Sequence, residues 1–273
     1  MVDLHLHTTA SDGSLTPARL VDAAKRAGLT VISITDHDTT AGIEEGQAAA
    51  TAAGVELVPG IEISAVADGR DVHVLGYFLD PAATVLSEFL EQQRMDRARR
   101  IVAMAERLAA LGVPIDPQAV LASAAGGRSV GRPQLASALV TAGHVRTREE
   151  AFQRFLEHGG PAYVPRQGAS PEAVIGIIHE AGGIASLAHP GLSRRDALIA
   201  PLADAGLDAV EARHSDHDAA TEAHYRAVAR DLGLLITGGS DFHGDTGHRV
   251  PTLGAVTLPS EDYDALRAAR SRR

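Results

Sequence analysis

Short runs of apolar and β-branched residues alternate with helical patterns along most of this chain. "VDLHLH" leads into "TPARLVDAAKRAGL", where Thr16 reads as a helix N-cap, Pro17 as the first helical residue and Gly28 as the stop. "TVISITDH" predicts a second strand, and "TAGIEEGQAAATAAG" a helix ending at Gly54. "VELVPGIEIS" and "RDVHVLGYFL" predict two further strands joined by a short Gly-containing turn. Later, Ser170 and Pro171 open the helix "SPEAVIGIIHEAG", and the strand "GIASLAHP" follows. "LDAVEARH" and "LGLLITGGSDFH" predict the last strands, with the helix "DAATEAHYRAVARDLG" between them. Such alternation implies parallel strands with crossover helices, and hence an α/β chain built as a (β/α) barrel.

The middle of the chain follows a different period. Between about Pro81 and Pro165 only helical patterns occur. "IVAMAERLAALG" places Ile101, Met104, Leu108 and Leu111 on one face. "TREEAFQRFLEHGG" opens with a Thr147/Glu150 capping box and stops at Gly159. The expected organisation is a barrel from residues 1–80 and 166–273, with residues 81–165 as an all-helical insertion that caps one end and reads the substrate. The basic tail "RAARSRR" is expected to be frayed.

The polar residues inside the strand patterns carry the chemistry. Side chains alternate along a strand, so His5 and His7 share one face while Leu4 and Leu6 share the other. A buried imidazole without a partner costs about 1–3 kcal/mol, so two on one face call for something shared. The same residue types recur at the ends of other strands. Asp12 lies on the first loop, His37 in "ITDHD", Glu62 in "GIEIS", His73 in the fourth strand, His189 in "AHP", and Asp241 and His243 in "GSDFH". Strand ends of a parallel barrel open on one face, where active sites are built. Nine imidazoles and carboxylates gathered there from the whole chain predict a metal cluster.

Composition narrows the choices. The 273-residue chain has no cysteine, so any metal must use nitrogen and oxygen ligands. Aromatics make up 3% and the formal net charge is −10, which argues against stacking platforms for single strands and against binding duplex DNA. No secretory or membrane-spanning pattern is read, so a cytoplasmic location and no membrane partner are expected. Divalent ions among these carboxylates and imidazoles would leave the pocket positive and draw a small phosphorylated ligand into an acidic protein. Mn²⁺, Fe²⁺ and Zn²⁺ all suit such ligands.

The segments "DLHLHTTASDG", "ITDHD", "GIEIS" with "VHVLGY", "AHP" and "GSDFHG" together resemble the polymerase and histidinol phosphatase (PHP) family of metal-dependent phosphoesterases. The resemblance implies a distorted (β/α)7 barrel with three divalent metals, Mn²⁺ foremost. It implies that His5, His7, Glu62 and Asp241 hold one metal; that Glu62, His73 and His189 hold a second, with Glu62 bridging; and that Asp12, His37 and His243 hold the third. A hydroxide shared by two metals is the expected nucleophile.

In the insertion, Ser129 and Arg132 stand just before a helix expected to start at Pro133, an arrangement suited to a second anion, with Gln134 beside them. Asp12, His37 and His214 are the candidate catalytic residues. His214 is expected near the mouth as a proton donor, and His217 is expected to be solvated. Asp36 and Asp38 are expected to orient ligands. His144, His158, His179, His224 and His248 are expected at the surface or in packing. In length and in its helical insertion the chain resembles members of the PHP family that cleave nucleoside 3′,5′-bisphosphates, and the resemblance implies hydrolysis of the 3′-phosphate of such a substrate. Trimming of short RNA from its 5′ end, hydrolysis of a histidinol-phosphate-type substrate, and a non-catalytic module are the alternatives.

Overall fold

The computed structural model describes residues 1–123, 125–244 and 252–271. Seven strands form one sheet in chain order: β1 (Val2–Leu6), β2 (Val31–Ile34), β3 (Glu56–Ala67), β4 (Arg70–Tyr77), β5 (Ile184–Leu187), β6 (Ala209–His214) and β7 (Leu235–Gly239). The sheet curls nearly into a barrel. Past the end of β7, Phe242 O accepts from His7 N at 2.9 Å and pairs with β1 at Leu6. Gly239 permits this approach, because a Cβ there would stand 2.4 Å from His5 N.

Among the described residues the helices are α1 (Pro17–Arg26), α2 (Ile43–Ala53), α3 (Thr84–Ala110), α4 (Pro117–Ala122), α5 (Arg132–Thr141), α6 (Arg148–Ala151), α7 (Pro171–Glu180), α8 (Pro190–Ser193), α9 (Ile199–Asp204), α10 (Ala219–Leu232) and α11 (Ser260–Arg270). The caps follow the sequence. Thr16 accepts from Arg19 N, Ser170 accepts from Ala173 N, and Gly54 ends α2 in the left-handed conformation. α1 and α2 cover β1–β3 through Leu20, Val21 and Ile43 against Leu6, Ile32, Ile34 and Leu57. α7 and α10 cover β3–β6. No helix among the described residues is long and apolar enough to cross a membrane.

Three expectations need correction. The strands are not all parallel: β4 runs antiparallel to both β3 and β5. Only Asp68 and Gly69 separate β3 from β4, both with positive φ (50° and 72°). A two-residue turn of that kind joins a hairpin, whereas parallel strands need a long crossover. Leu111 does not share the buried face of Ile101, Met104 and Leu108, because α3 ends at Ala110 and leaves Leu111 45% exposed. The helix expected from Thr147 to Gly159 is only four residues of α6, followed by a π-helical turn over Phe152–Leu156.

Between β4 and β5 the described residues are helical or irregular. They carry an apolar cluster of their own, with Ile101, Met104 and Leu108 of α3 against Leu135, Leu139, Phe155 and Leu156. The first half of α3 instead packs on the barrel through Leu86 and Leu90. Hydrogen bonds tie this helical layer to the barrel loops, among them Ser129 N to Ala10 O (2.9 Å), Thr39 Oγ1 to Gly127 O (2.7 Å) and Gln134 Nε2 to Ser11 O (2.9 Å). The layer is thereby fixed over the end of the barrel from which Asp12 and His37 emerge.

Candidate metal centre

The nine imidazoles and carboxylates come together at one end of the barrel. β1 contributes His5, and His7 follows it directly; both are fully buried. Reversal of β4 explains why His73, near the start of its strand, meets residues from the far ends of the others. Asp12 reaches the cluster because the chain folds back at Gly13, where any Cβ would stand 2.4 Å from His7 O. Asp36, itself buried, fastens that loop by accepting from Thr8 N (2.7 Å), Thr8 Oγ1 (2.6 Å) and Ser11 Oγ (2.6 Å). Asp38, His189 and Asp241 are non-glycine residues with positive φ (50°, 28° and 53°), strain gathered in and beside the cluster.

Glu62 lies at the centre. Its Oε2 is 3.4 Å from His5 Nε2, 3.3 Å from His7 Nε2 and 3.0 Å from His37 Nδ1. Its Oε1 is 2.7 Å from His73 Nδ1 and 3.0 Å from His189 Nε2. Asp241 Oδ1 approaches His5 Nε2 at 3.3 Å and His7 Nε2 at 3.1 Å. Asp12 Oδ1 lies 3.2 Å from His243 Nε2, and its Oδ2 lies 4.0 Å from His37 Nε2. His37 therefore faces two groups, Glu62 through one nitrogen and Asp12 through the other.

The donor set fits divalent cations. Both ring nitrogens of His7, and Nδ1 of His37 and His73, are buried without a hydrogen-bond partner, although carboxylate oxygens stand within 4 Å of each. Nitrogens and carboxylates that crowd together without hydrogen-bond geometry are placed to share ions. Among the described residues four mutually close groups occur: His7/Asp12/His37/His243, His5/His7/Asp241, His5/Glu211/His214 and His37/Glu62/His73. Without cations, burial and mutual charge distort the titrations. Burial raises Glu62, yet the neighbouring His37, His73 and His5 hold it well below the usual carboxylate range. Burial, with like charge from His7 and His73, pushes His37 down to about 3, against the pull of Glu62 and Asp12.

Glu211 belongs to the site and was not singled out by the sequence. It is fully buried; Oε1 is 2.9 Å from His5 Nδ1, and Oε2 accepts from the strained His189 N at 2.7 Å. An acid on the inward face of "DAVEARH" was the available signal. His214 is not at the mouth. It is buried behind Asp241, with Nδ1 accepting from Asp216 N (3.1 Å) and Nε2 3.3 Å from Asp241 Oδ2. That placement sets it against Asp241. His217 is half-buried and bonded to Ala212 O (2.9 Å) and Gly191 N (3.2 Å), so it is not simply solvated.

Of the remaining histidines, His179 pairs with Asp208, His224 with Asp196 and His144 with Pro114 O, while His158 packs on Tyr163; His248 lies outside the described residues.

Beside the cluster lies a cavity of about 130 Å³ between barrel and helical layer. His37 and His73 form one wall; Ser129, Arg132, Arg97, Arg100 and Arg166 form the other. α3 supplies Arg97 and Arg100, residues of a polar helical run with no spacing to mark them. Ser129 Oγ, Arg100 Nη2 and Arg166 Nε are buried without hydrogen-bond partners. Burial and the charge of Arg166 push Arg100 down to about 10, still cationic at pH 7. Asp38 binds Arg97 (Nε, 2.6 Å) and Arg166 (Nη1, 3.2 Å). Asp71 engages Arg132 and Arg166 only at 3.4 and 3.5 Å. Gln134 commits its amide to backbone, Oε1 to Gly131 N at 2.8 Å and Nε2 to Ser11 O.

Comparison with known proteins agrees with this geometry. The PHP domain profile matches residues 3–123. The 5′-3′ exoribonuclease Rnm of Escherichia coli (strain K12) is 37% identical over 248 residues, covering 88% of this chain and 84% of its own. The 3′,5′-nucleoside bisphosphate phosphatase of Chromobacterium violaceum is 33% identical over 258 residues, covering 90% of each chain. A crystal structure from Bifidobacterium adolescentis, described as a metal-dependent phosphoesterase, superposes with a TM-score of 0.89 at 35% identity, over 98% of this chain and 96% of its own. With such likeness along almost its whole length, the chain belongs to the PHP domain family and is a metal-dependent phosphoesterase.

Proposed function

We propose that this chain hydrolyses the 3′-phosphate of a nucleoside 3′,5′-bisphosphate, giving a 5′-nucleotide and phosphate. The observation that carries this reading is the arginine-lined cavity against the His37/His73 wall, in which Ser129 Oγ and Arg100 Nη2 lack hydrogen-bond partners and Arg166 Nε has only Asp71 Oδ1 at 3.5 Å. Buried donors without partners are costly unless a ligand satisfies them, and guanidinium groups suit phosphate oxygens. One phosphate on the cluster and a second among the arginines matches a substrate with two. The names of the Chromobacterium and Escherichia relatives, a bisphosphate phosphatase and an exoribonuclease, support the class.

In this reading His5, His7, Glu62 and Asp241 hold one divalent ion, Glu62, His73 and His189 a second, and Asp12, His37 and His243 a third, with Mn²⁺ the best candidate. When bound, the ions supply activated water and neutralise charge on the scissile phosphate. The chain's own residues supply the alignment. Arg132, Arg100 and Arg166 grip the 5′-phosphate, Ser129 Oγ donates to it, and Glu211 and His214 hold His5 and Asp241 in place from behind. The helical layer of residues 81–165 acts as the substrate cap.

The test compares substrates in Arg132→Ala. Loss of a charge-assisted, partly buried contact should lower kcat/KM for the bisphosphate by about 2–4 kcal/mol. A 3′-monophosphate should lose far less. Equal losses would show that Arg132 supports the fold or the cluster in general, and would remove the two-phosphate reading.

A further inference from the structure

Three polar residues at the start of the chain turn inward, not two. Side chains alternate along "DLHLH", so Asp3 shares the face of His5 and His7, and all three are fully buried. A buried carboxylate is costly unless its oxygens find donors. Those of Asp3 find them on two residues. Oδ1 accepts from Ser240 N at 2.9 Å and from His5 N at 3.3 Å, and Oδ2 accepts from Ser240 Oγ at 2.7 Å. Ser240, also fully buried, lies just past β7, so these bonds cross the seam where the barrel closes on β1. Asp3 takes no part in the walls of the cationic cavity.

Ser240 precedes Asp241, whose Oδ1 stands 3.3 Å from His5 Nε2 and 3.1 Å from His7 Nε2. Asp241 has a φ of 53°, and a non-glycine residue persists in that region only where its surroundings over-determine it. Here they do so on both sides. After Asp241, His7 N donates to Phe242 O (2.9 Å) and Ser14 N to His243 O (2.8 Å). Before it, Asp3 holds Ser240 by both its N–H and its hydroxyl. The bonds after Asp241 run from backbone to backbone and do not depend on the side chains there. The fastening before it depends on an acid at position 3 and a hydroxyl at position 240.

We propose that Asp3 is a positioning residue of the metal centre: through Ser240 it fixes the backbone from which Asp241 reaches His5 and His7. This rests on the reading of Asp241 as a metal ligand. A seam that needed only stability could be packed with apolar side chains, as the strand's other face is, where Val2 and Leu4 belong to a cluster with Leu258 and Leu266. Replacing both partners of a buried hydrogen bond by apolar groups of the same shape is often nearly neutral. What apolar packing does not supply is direction. Bonds from Ser240 N and Ser240 Oγ onto one carboxylate fix both the place and the rotation of Ser240, and with them the path of the chain into Asp241. Groups behind a metal ligand commonly set its orientation in this way.

The test uses the full chain with Mn²⁺ alone as the probe. Binding is read by electron paramagnetic resonance of the free ion, and stability by urea unfolding without metal. Asp3→Ala should weaken the binding of one ion by about 10–100-fold. Asp3→Asn should stay within about twofold of wild type, because the amide oxygen accepts from both N–H groups while its NH₂ donates to Ser240 Oγ. Ser240→Ala, a milder change, should weaken the same ion by about fivefold, and it alone decides the matter if Asp3→Ala does not fold. Leu4→Val, on the other face of the strand, should lower the urea midpoint and leave Mn²⁺ binding within about twofold. Wild-type Mn²⁺ affinity in Asp3→Ala and Ser240→Ala, or an equal weakening in Leu4→Val, would show that the pair only closes the barrel and would overturn the positioning role. A wild type that binds Mn²⁺ but does not hydrolyse the bisphosphate would remove the proposed substrate and leave this inference standing. A wild type that binds no Mn²⁺ would remove the ligand assignment and the positioning role together.

Discussion

Replacing Asp38 by Asn should expose how the cationic cavity is held together. Asp38 is fully buried; its Oδ1 accepts from Ser64 N at 2.7 Å, and its Oδ2 takes Arg97 Nε at 2.6 Å and Arg166 Nη1 at 3.2 Å. Burial alone would raise its pKa, but Arg97 and Arg166 hold it at about 2, below its ordinary 3.8. A depressed folded-state pKa stabilises above the unfolded value and is lost as pH falls through the folded one. The difference contributes about 2 kcal/mol at pH 7. Asn keeps the shape and the Ser64 contact but leaves two guanidinium groups facing each other without an anion, and breaking buried pairs costs about 3–5 kcal/mol. Asp38→Asn should therefore destabilise by about 3 kcal/mol at pH 7. By pH 3 the gap should have narrowed by about 1 kcal/mol, because the unfolded wild-type chain takes up a proton at Asp38 near its ordinary pKa of 3.8 while the folded one is still mostly ionised. Urea unfolding of both proteins at pH 7, 5, 4 and 3 reads this directly. A gap that stays constant down to pH 3 would show that the ionised carboxylate is not what binds the arginines.

Glu211→Gln keeps a polar group beside His5 but removes the anion that fixes its ring; metal affinity should fall by about 10–100-fold with little change in fold, as read by Mn²⁺ titration followed by circular dichroism. Asp241→Ala removes a carboxylate shared by His5 and His7 at the rim, so activity should fall by several orders of magnitude, on the order of 10³ or more, in a protein that still folds. Full turnover in that variant with full metal loading would show that Asp241 is not a ligand.

Much of the candidate site was legible because the residue patterns of metal clusters obey local rules. His5 and His7 follow strand alternation, and Asp12, His37, Glu62, His189, Asp241 and His243 sit at or just past strand patterns. The reversal of β4 was also written in the sequence, in the Asp68–Gly69 pair between two strands, but alternation alone says nothing about strand direction. Glu211, Arg97, Arg100 and Arg166 were hidden for a physical reason. An acid or arginine is buried only if a partner from elsewhere meets it, and that partner is fixed by tertiary packing, not by spacing. His214 misled in the same way: its distance from the strand end suited a rim position, but the close approach of Asp241 places it inside.

His5, His7, Asp12, His37, Glu62, His73, His189, Asp241 and His243 are proposed to hold a cluster of divalent ions. Crystals grown with Mn²⁺ and measured for anomalous scattering near the manganese edge test it most directly. Three peaks are expected: one among His5, His7, Glu62 and Asp241, one among Glu62, His73 and His189, and one among Asp12, His37 and His243. Peaks confined to other places, such as the pocket of His5, Glu211 and His214, or no peaks at millimolar Mn²⁺ in protein that hydrolyses phosphate esters, would contradict it.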